Sequence, residues 1–196
     1  IEPGMTEAQI AWELEVHMRT HGATGLAFDT IVASGPNAAL PHYHAGQRPV
    51  QEGEPITIDW GAELDGYRSD LTRTIVLGQP DAKFREVYDI VLKAQLNAIN
   101  NIKANITGKE ADAFARDIIA AAGYGEQFGH SLGHGVGLAT HEGPRASYLA
   151  EDERLPLGAL ITAEPGIYIP GWGGVRIEDM IVVTETGVEV LSHLPK

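Results

Sequence analysis

Residues 56–77 read ITIDWGAELDGYRSDLTRTIVL. Ile56 to Ala62 and Tyr67 to Leu77 are rich in β-branched and aromatic side chains, the composition of strands. Between them stands Glu63-Leu64-Asp65-Gly66. Asp65-Gly66 is a strong hairpin signal, because Asp and Gly tolerate the positive φ that a tight turn demands. The stretch therefore predicts two antiparallel strands. Each carries one acid among apolar neighbours: Asp59 beside Ile58 and Trp60, and Asp70 before Leu71, Thr72, Thr74 and Ile75.

On the N-terminal side, Thr6 followed by Gln9 forms a capping box. Ile10, Leu14 and Met18 then repeat at helical spacing, predicting a helix over about 6–21 that ends at Gly22. Phe28 to Ala33 reads as a short strand closed by Ser34-Gly35-Pro36-Asn37, and 36–54 as loop. On the C-terminal side, Asp81 to Lys103 reads as a long helix with Phe84, Val87, Val91, Leu92 and Leu96 on one side. Thr107 and Glu110 open a second capped helix that runs to Ala122. Residues 129–141 are rich in Gly and His. Ala159 to Ile169 and Val175 to Thr184 read as strands, with Val188 to Leu191 as a last one. Hairpins and helices mix without strict alternation. That order predicts an α+β class with a mainly antiparallel sheet, in one domain over 1–196.

Composition narrows the function classes. The formal net charge is −13, from 27 acids and 14 bases. Such a surface repels phosphate backbones, so no nucleic-acid partner is expected. No apolar run reaches the ~18 residues of a membrane span, so no membrane partner is expected either. The chain has no cysteine, which removes disulfide scaffolds, thiolate metal sites and cysteine nucleophiles. A cytoplasmic location fits that composition. The hydrophobic share of 43% suffices for a sizeable core.

Two more acids repeat the pattern of Asp59 and Asp70. Glu164 follows Leu160, Ile161 and Ala163, and Glu178 lies among Val175, Ile177, Met180 and Ile181. A buried, unpaired carboxylate costs several kcal/mol, roughly, or takes up a proton. Only Arg68, Arg73 and Arg176 are near in sequence, too few for four acids. With His134, set between glycines, the four carboxylates make an oxygen-rich, hard donor set. Mn²⁺ suits such a set best, with Co²⁺, Fe²⁺ or Zn²⁺ tolerated. Five ligands of which several can bridge imply two divalent ions, ~3.5–4 Å apart. A pair of ions acidifies water and polarises a carbonyl, which is hydrolysis chemistry.

The motifs carry a resemblance. They are D-x-G-A-x-x-x-G-Y-x-S-D-x-T-R-T from Asp59 to Thr74, G-H-G-x-G around His134 with His141 beyond it, E-P-G-I-Y from Glu164, and R-I-E-D around Glu178. Together they resemble the pita-bread metallopeptidase family of prolidase, Xaa-Pro aminopeptidase and methionine aminopeptidase. The resemblance runs over nearly the whole chain and implies the pita-bread fold, a curved antiparallel sheet with helices outside. It implies that Asp59 chelates one ion, that Asp70 and Glu178 bridge both, and that His134 and Glu164 complete the second. It implies a role for His42, in ALPHYH, near the scissile bond, for His141 in stabilising the tetrahedral intermediate, and for His130 in a proline pocket. Glu164 would relay a proton to the leaving nitrogen. Arg176 would either anchor a substrate carboxylate or hold a nearby acid, and Tyr168 would either donate a hydrogen bond or pack. Thr72 is placed to bond a ligand carboxylate.

S-D-x-T-R-T, L-P-H-Y and E-P-G-I-Y are similar to the proline-directed branch. The expected activity is hydrolysis of the Xaa-Pro bond at the N-terminus of peptides or dipeptides, the substrate carrying proline at its second position. A methionine aminopeptidase shares all five ligands and is the alternative. A non-catalytic peptide-binding module is a further one, disfavoured because no ligand is missing. Members of that branch usually carry a creatinase-like N-terminal domain before this segment. The chain starts at Ile1 without Met, so the natural protein is expected to hold about 100–150 more residues ahead of it. A homodimer is expected for that full-length protein.

Overall fold

Thr6 and Thr107 cap helices as their sequence context predicts, each with both halves of the capping box formed. The computed structural model describes all 196 residues. Helix α1 spans Glu7–Thr20, α2 Ala82–Asn101 and α3 Gly108–Ala121. Asp81 caps α2 by accepting the Phe84 N–H at 2.7 Å. The apolar rows of α2 and α3 lie against the sheets: Phe84, Val87, Val91, Ala94, Ala115 and Ile119 join Ile161, Ile167, Val175 and Ile181 in one buried cluster. A smaller cluster of Ile10, Val32, Val50, Ile56 and Ile58 seats α1. Each such side chain removed from water contributes ~1.5–3 kcal/mol, so the helices bind the sheet firmly enough to hold polar groups inside it.

The strands are β1 (Gly25–Leu26), β2 (Ile31–Ser34), β3 (Pro55–Trp60), β4 (Ala62–Leu64), β5 (Tyr67–Arg68) and β6 (Leu71–Val76), then β7 (Gly133–Gly135), β8 (Glu142–Ala146), β9 (Leu160–Ala163), β10 (Gly166–Ile169), β11 (Gly173–Arg176), β12 (Asp179–Val183) and β13 (Val188–Val190). All pairings are antiparallel. They form sheets of order β13-β12-β9-β7-β8, β2-β3-β6, β1-β4-β5 and β10-β11. The α+β, mainly antiparallel expectation holds. No helix is long and apolar enough to cross a membrane.

Five expected strands turn out shorter or broken, and the breaks matter. Phe28 to Thr30 lie outside the strand, which begins at Ile31. The long hairpin kinks where Gly61 meets Ser69: a Cβ at Gly61 would stand 1.9 Å from the Ser69 carbonyl oxygen. Beyond the kink, β4 and β5 leave the first sheet and pair with each other, and β4 pairs with β1 on its other edge. The Ala159–Ile169 run breaks at Glu164-Pro165, where proline has no N–H to give a ladder. The Val175–Thr184 run breaks at Ile177-Glu178. Thus Asp70, Glu164 and Glu178 sit not within core strands but at the points where the chain passes from one sheet to the next. Strand β8 was not among the expected strands; it forms by pairing with β7.

Candidate metal centre

Because the sheets meet at those breaks, side chains distant in sequence converge. Asp59 extends from β3, opposite Thr72 of β6. Asp70 precedes β6, and Glu178 is fixed by its N–H donating to the Thr72 carbonyl at 3.2 Å. One carboxylate oxygen from each of Asp59, Asp70 and Glu178 lies within 4.8 Å of the others. Glu164 and His134 join from the neighbouring sheet. His134 Nε2 is 3.2 Å from Glu164 Oε1 and 3.7 Å from Asp70 Oδ2. All five expected ligands therefore bound one small volume.

The surrounding hydrogen bonds orient them. Thr72 Oγ1 donates to Glu178 Oε2 at 2.6 Å, and Thr162 Oγ1 donates to Glu164 Oε1 at 2.9 Å while accepting the His134 N–H at 3.0 Å. His134 Nδ1 is 3.0 Å from the Gly135 carbonyl. A carbonyl only accepts, so Nδ1 carries the proton. Burial lowers the ring's pKa, but the hydrogen bond and charge of Glu164 raise it further, so the metal-free ring also holds a proton on Nε2. Giving up that proton would leave an Nε2 lone pair facing Glu164 and Asp70, the usual posture of a metal-ligating imidazole.

Charge in the site is unbalanced. Asp59 Oδ1 and Glu178 Oε1 are buried without any hydrogen-bond partner. Burial pushes the Asp70 carboxyl up to about 9, with the charges of Asp59 and Glu164 adding to it. Glu178 rises for the same reasons, burial first and then Asp70, Glu164 and Asp59. Asp59 is raised by burial against the opposing pull of Arg176. Glu164 goes the other way: burial raises it, but the His134 hydrogen bond and charge, with His130 and Arg176, take it down to about 2. Four carboxylates face one guanidinium and one imidazole. Two divalent cations would supply the missing positive charge and fill the two orphaned oxygens, so the residues present fit the group.

Arg176 is fully engaged. Its Nη2 donates to Asp59 Oδ2 at 2.7 Å, its Nη1 to the Tyr168 hydroxyl at 2.8 Å, and its Nε to Thr72 Oγ1 at 3.0 Å. Of the two roles open to it from sequence, the geometry has it holding an acid. Tyr168 lies behind the cavity wall, 7% exposed, with its hydroxyl 2.7 Å from His130 Nε2. His130 Nδ1 donates to the Ser131 carbonyl at 2.8 Å, so Nε2 accepts the Tyr168 proton. Burial holds the Tyr168 phenol up to about 12 and lowers His130, which keeps that polarity of the bond.

A cavity of about 300 Å³ opens onto Asp59, Asp70, His134 and Glu164. His42, His130, His141 and Arg176 also line it, and Phe28, Ile31 and Pro41 give it an apolar side. Glu178 lies beneath this surface. His141 lies tilted against His134 with ring centroids 4.1 Å apart, and burial, then His134, lower its pKa. Four contributors carry no signal in the sequence. Thr162 alternates with its neighbours like any strand threonine. Asp112 and Arg116 look like an i,i+4 surface pair, yet they hold the Leu132 N–H and the carbonyls of Phe128 and His130. Arg145, on the cavity rim, is mostly exposed and paired with Glu153 at 3.1 Å; four residues past His141 it carried no motif of its own.

Comparison with known proteins agrees with this geometry. Over 192 residues the chain is 51% identical to a Xaa-Pro dipeptidase of Pyrococcus horikoshii, covering 98% of the chain and 54% of the relative. A Xaa-Pro dipeptidase structure from Bacillus anthracis superposes with a TM-score of 0.98 at 53% identity, covering 100% of the chain and 55% of that structure. An X-Pro aminopeptidase structure from Thermotoga maritima gives 0.97 at 50% identity, covering 100% and 55%. The chain spans about half the length of the curated relatives it matches. These likenesses give it the pita-bread fold. Residues 1–185 match the Peptidase_M24 domain, and the chain belongs to metallopeptidase family M24.

Proposed function

We propose that this chain is the catalytic part of a two-metal peptidase that hydrolyses the Xaa-Pro bond at the N-terminus of peptides or dipeptides. The observation that carries the reading is the meeting of Asp59, Asp70, His134, Glu164 and Glu178 around unpaired buried oxygens at the floor of a cavity. Those five residues would hold two divalent ions, with Mn²⁺ the best match to a hard, oxygen-rich set. Such ions would supply Lewis-acid polarisation of a carbonyl and make water acidic enough to attack near neutral pH.

The remaining work falls to this chain's own groups. His141 and His42 face the cavity and donate hydrogen bonds to the oxyanion as it forms. Glu164 moves a proton toward the departing proline nitrogen. The apolar side of the cavity, with His130, receives the proline ring. Arg176, Tyr168 and Thr72 keep Asp59, His130 and Glu178 from turning, so little reorganisation is needed during the reaction. Arg145 is the exposed cation at the rim, tied only to Glu153, and is placed to meet the free carboxylate of a dipeptide.

The relatives' named activities, on proline dipeptides and on X-Pro N-termini, support this substrate class. A hydrolysis panel tests it: Xaa-Pro, Xaa-Pro-Yaa and Met-Gly-Yaa peptides with Mn²⁺. Cleavage confined to the proline substrates is the expected result. Preference for Met-Gly-Yaa would overturn it in favour of a methionine aminopeptidase.

A further inference from the structure

Glu7 is a buried carboxylate that the proposed chemistry does not use. It lies in the first turn of α1 and is 0% exposed. Its Oε1 accepts from the Ser34 N–H at 2.8 Å, the Ser34 hydroxyl at 2.7 Å and Asn37 Nδ2 at 3.0 Å. Its Oε2 accepts from the Gly46 N–H at 3.3 Å. These donors come from the end of β2, the short 3₁₀ turn Gly35–Ala39, and the far end of the loop that follows. Between them lie Pro41 and His42, both on the cavity wall. Asn37 Nδ2 also donates to the Tyr43 hydroxyl at 2.9 Å, next in chain to His42.

The grip is reinforced from both sides. Arg48 donates to the Ser34 hydroxyl at 2.6 Å while its two terminal nitrogens pair with Glu54. The Ala8 N–H donates to the Gly46 carbonyl at 2.9 Å, and the Glu7 N–H to that of Arg48 at 3.1 Å. Gly46 leaves the space: a Cβ there would stand 3.0 Å from the Tyr43 hydroxyl oxygen. An ionised carboxylate can accept all four donors at once, and hydrogen bonds to a charged acceptor are the stronger kind. Neutral replacements leave buried donors unpaired.

We propose that Glu7 is a positioning residue: from outside the cavity it clamps the Ser34–Gly46 segment and so sets where His42 stands. The inference rests on the reading of His42 as a group that meets substrate, and its test separates the two. The experiment follows the ring signals of isotope-labelled histidine by NMR in the full natural chain loaded with Mg²⁺, a diamagnetic stand-in. Glu7→Gln should shift or broaden the His42 signal and leave those of His134 and His141 in place. It should also lower kcat about 10–100-fold with unchanged metal content, the scale of an ångström-level misplacement. Adding His42→Ala to Glu7→Gln should cost no more than His42→Ala alone. An unmoved His42 signal, or losses that multiply, would overturn the clamp. If His42→Ala by itself leaves kcat unchanged, the role given to His42 falls, and the NMR signal still decides for or against Glu7. Should Glu7→Gln fail to fold, Asn37→Ala cuts the link to Tyr43 without disturbing Glu7's other bonds. It should move the same His42 signal by less, and no movement there counts against the proposal.

Discussion

Glu178 and Asp179 are neighbours in sequence, 1% and 0% exposed, and they meet opposite surroundings. Asp179 is saturated: Arg73 Nη2 reaches its Oδ1 at 2.9 Å, and Gln95 Nε2 and Lys196 Nζ reach its Oδ2 at 2.8 and 2.6 Å. Glu178 has Thr72 on one oxygen and nothing on the other, with three more carboxylates nearby. The chain break before β12 sends one side chain toward the cavity floor and the next toward α2. Glu7 and Asp112 resemble Asp179, each bound by several donors. Burial alone therefore does not mark a metal ligand. Among the proposed ligands, Asp59 and Glu178 differ from those three in having a buried oxygen without a partner and other carboxylates nearby.

The largest effect expected from breaking this contrast is at Asp70. Asp70→Asn removes a charge that the proposed metals need, and kcat should drop below detection, more than ~10³-fold. The metal-free variant should melt higher than the parent at pH 8, since the buried Asp70, raised to about 9, must take up a proton on folding at that pH and Asn need not. Asp179→Asn should do the reverse. It leaves Arg73 buried beside a neutral partner, which costs about 3–5 kcal/mol in denaturant unfolding. Metal stoichiometry and kcat per folded molecule should stay near the parent's. A third substitution, His141→Ala, should keep the metals and the fold while lowering kcat ~10²–10³-fold, the usual loss for one oxyanion donor. Unchanged kcat there would remove His141 from the mechanism.

A smaller and graded effect follows from pH. Asp59, Asp70 and Glu178 all have carboxyls raised above their free values, to about 9 for Asp70. In the metal-free chain the protonated forms favour folding, so their contribution is full below the free value of 3.8 for Asp70 and fades as pH rises toward 9. Glu164, lowered to about 2, contributes above its free 4.5 and loses that only on acidification, so it is constant across this window. The melting temperature of chelated protein should therefore fall between about pH 5 and pH 9, and Mn²⁺ should flatten the slope. A flat profile without metal would mean that burial and mutual repulsion do not raise these carboxyls.

Much of this was legible in the sequence because its signals are local. Capping boxes, an Asp-Gly turn and helical rows of apolar residues each depend on a few neighbours, and α1, α2, α3 and the β3–β6 pairing follow from them. The acids betrayed themselves by sitting among strand formers. Less legible was where the strands stop. Gly61 and the Ile177-Glu178 break act through what another segment places beside them, such as the Ser69 carbonyl against Gly61. Only the R-I-E-D resemblance told Glu178 from Asp179; the strand pattern alone did not, since the partners of Asp179, Arg73 and Gln95, arrive from β6 and α2. For the same reason Thr162, Glu7 and Arg145 left no trace: their roles exist only after distant segments have packed.

If the converging acids form one cation site, they should bind metal as a unit. Calorimetric titration of Mn²⁺ into chelated protein near pH 7, repeated in buffers of different ionisation enthalpy, tests it most directly. The account predicts saturation at about two ions per chain, with protons released as the raised carboxyls of Asp59, Asp70 and Glu178 give up their hydrogens. Asp70→Asn should weaken that binding and Asp179→Asn should not. Absence of saturable binding, or equal binding by parent and Asp70→Asn, would contradict it.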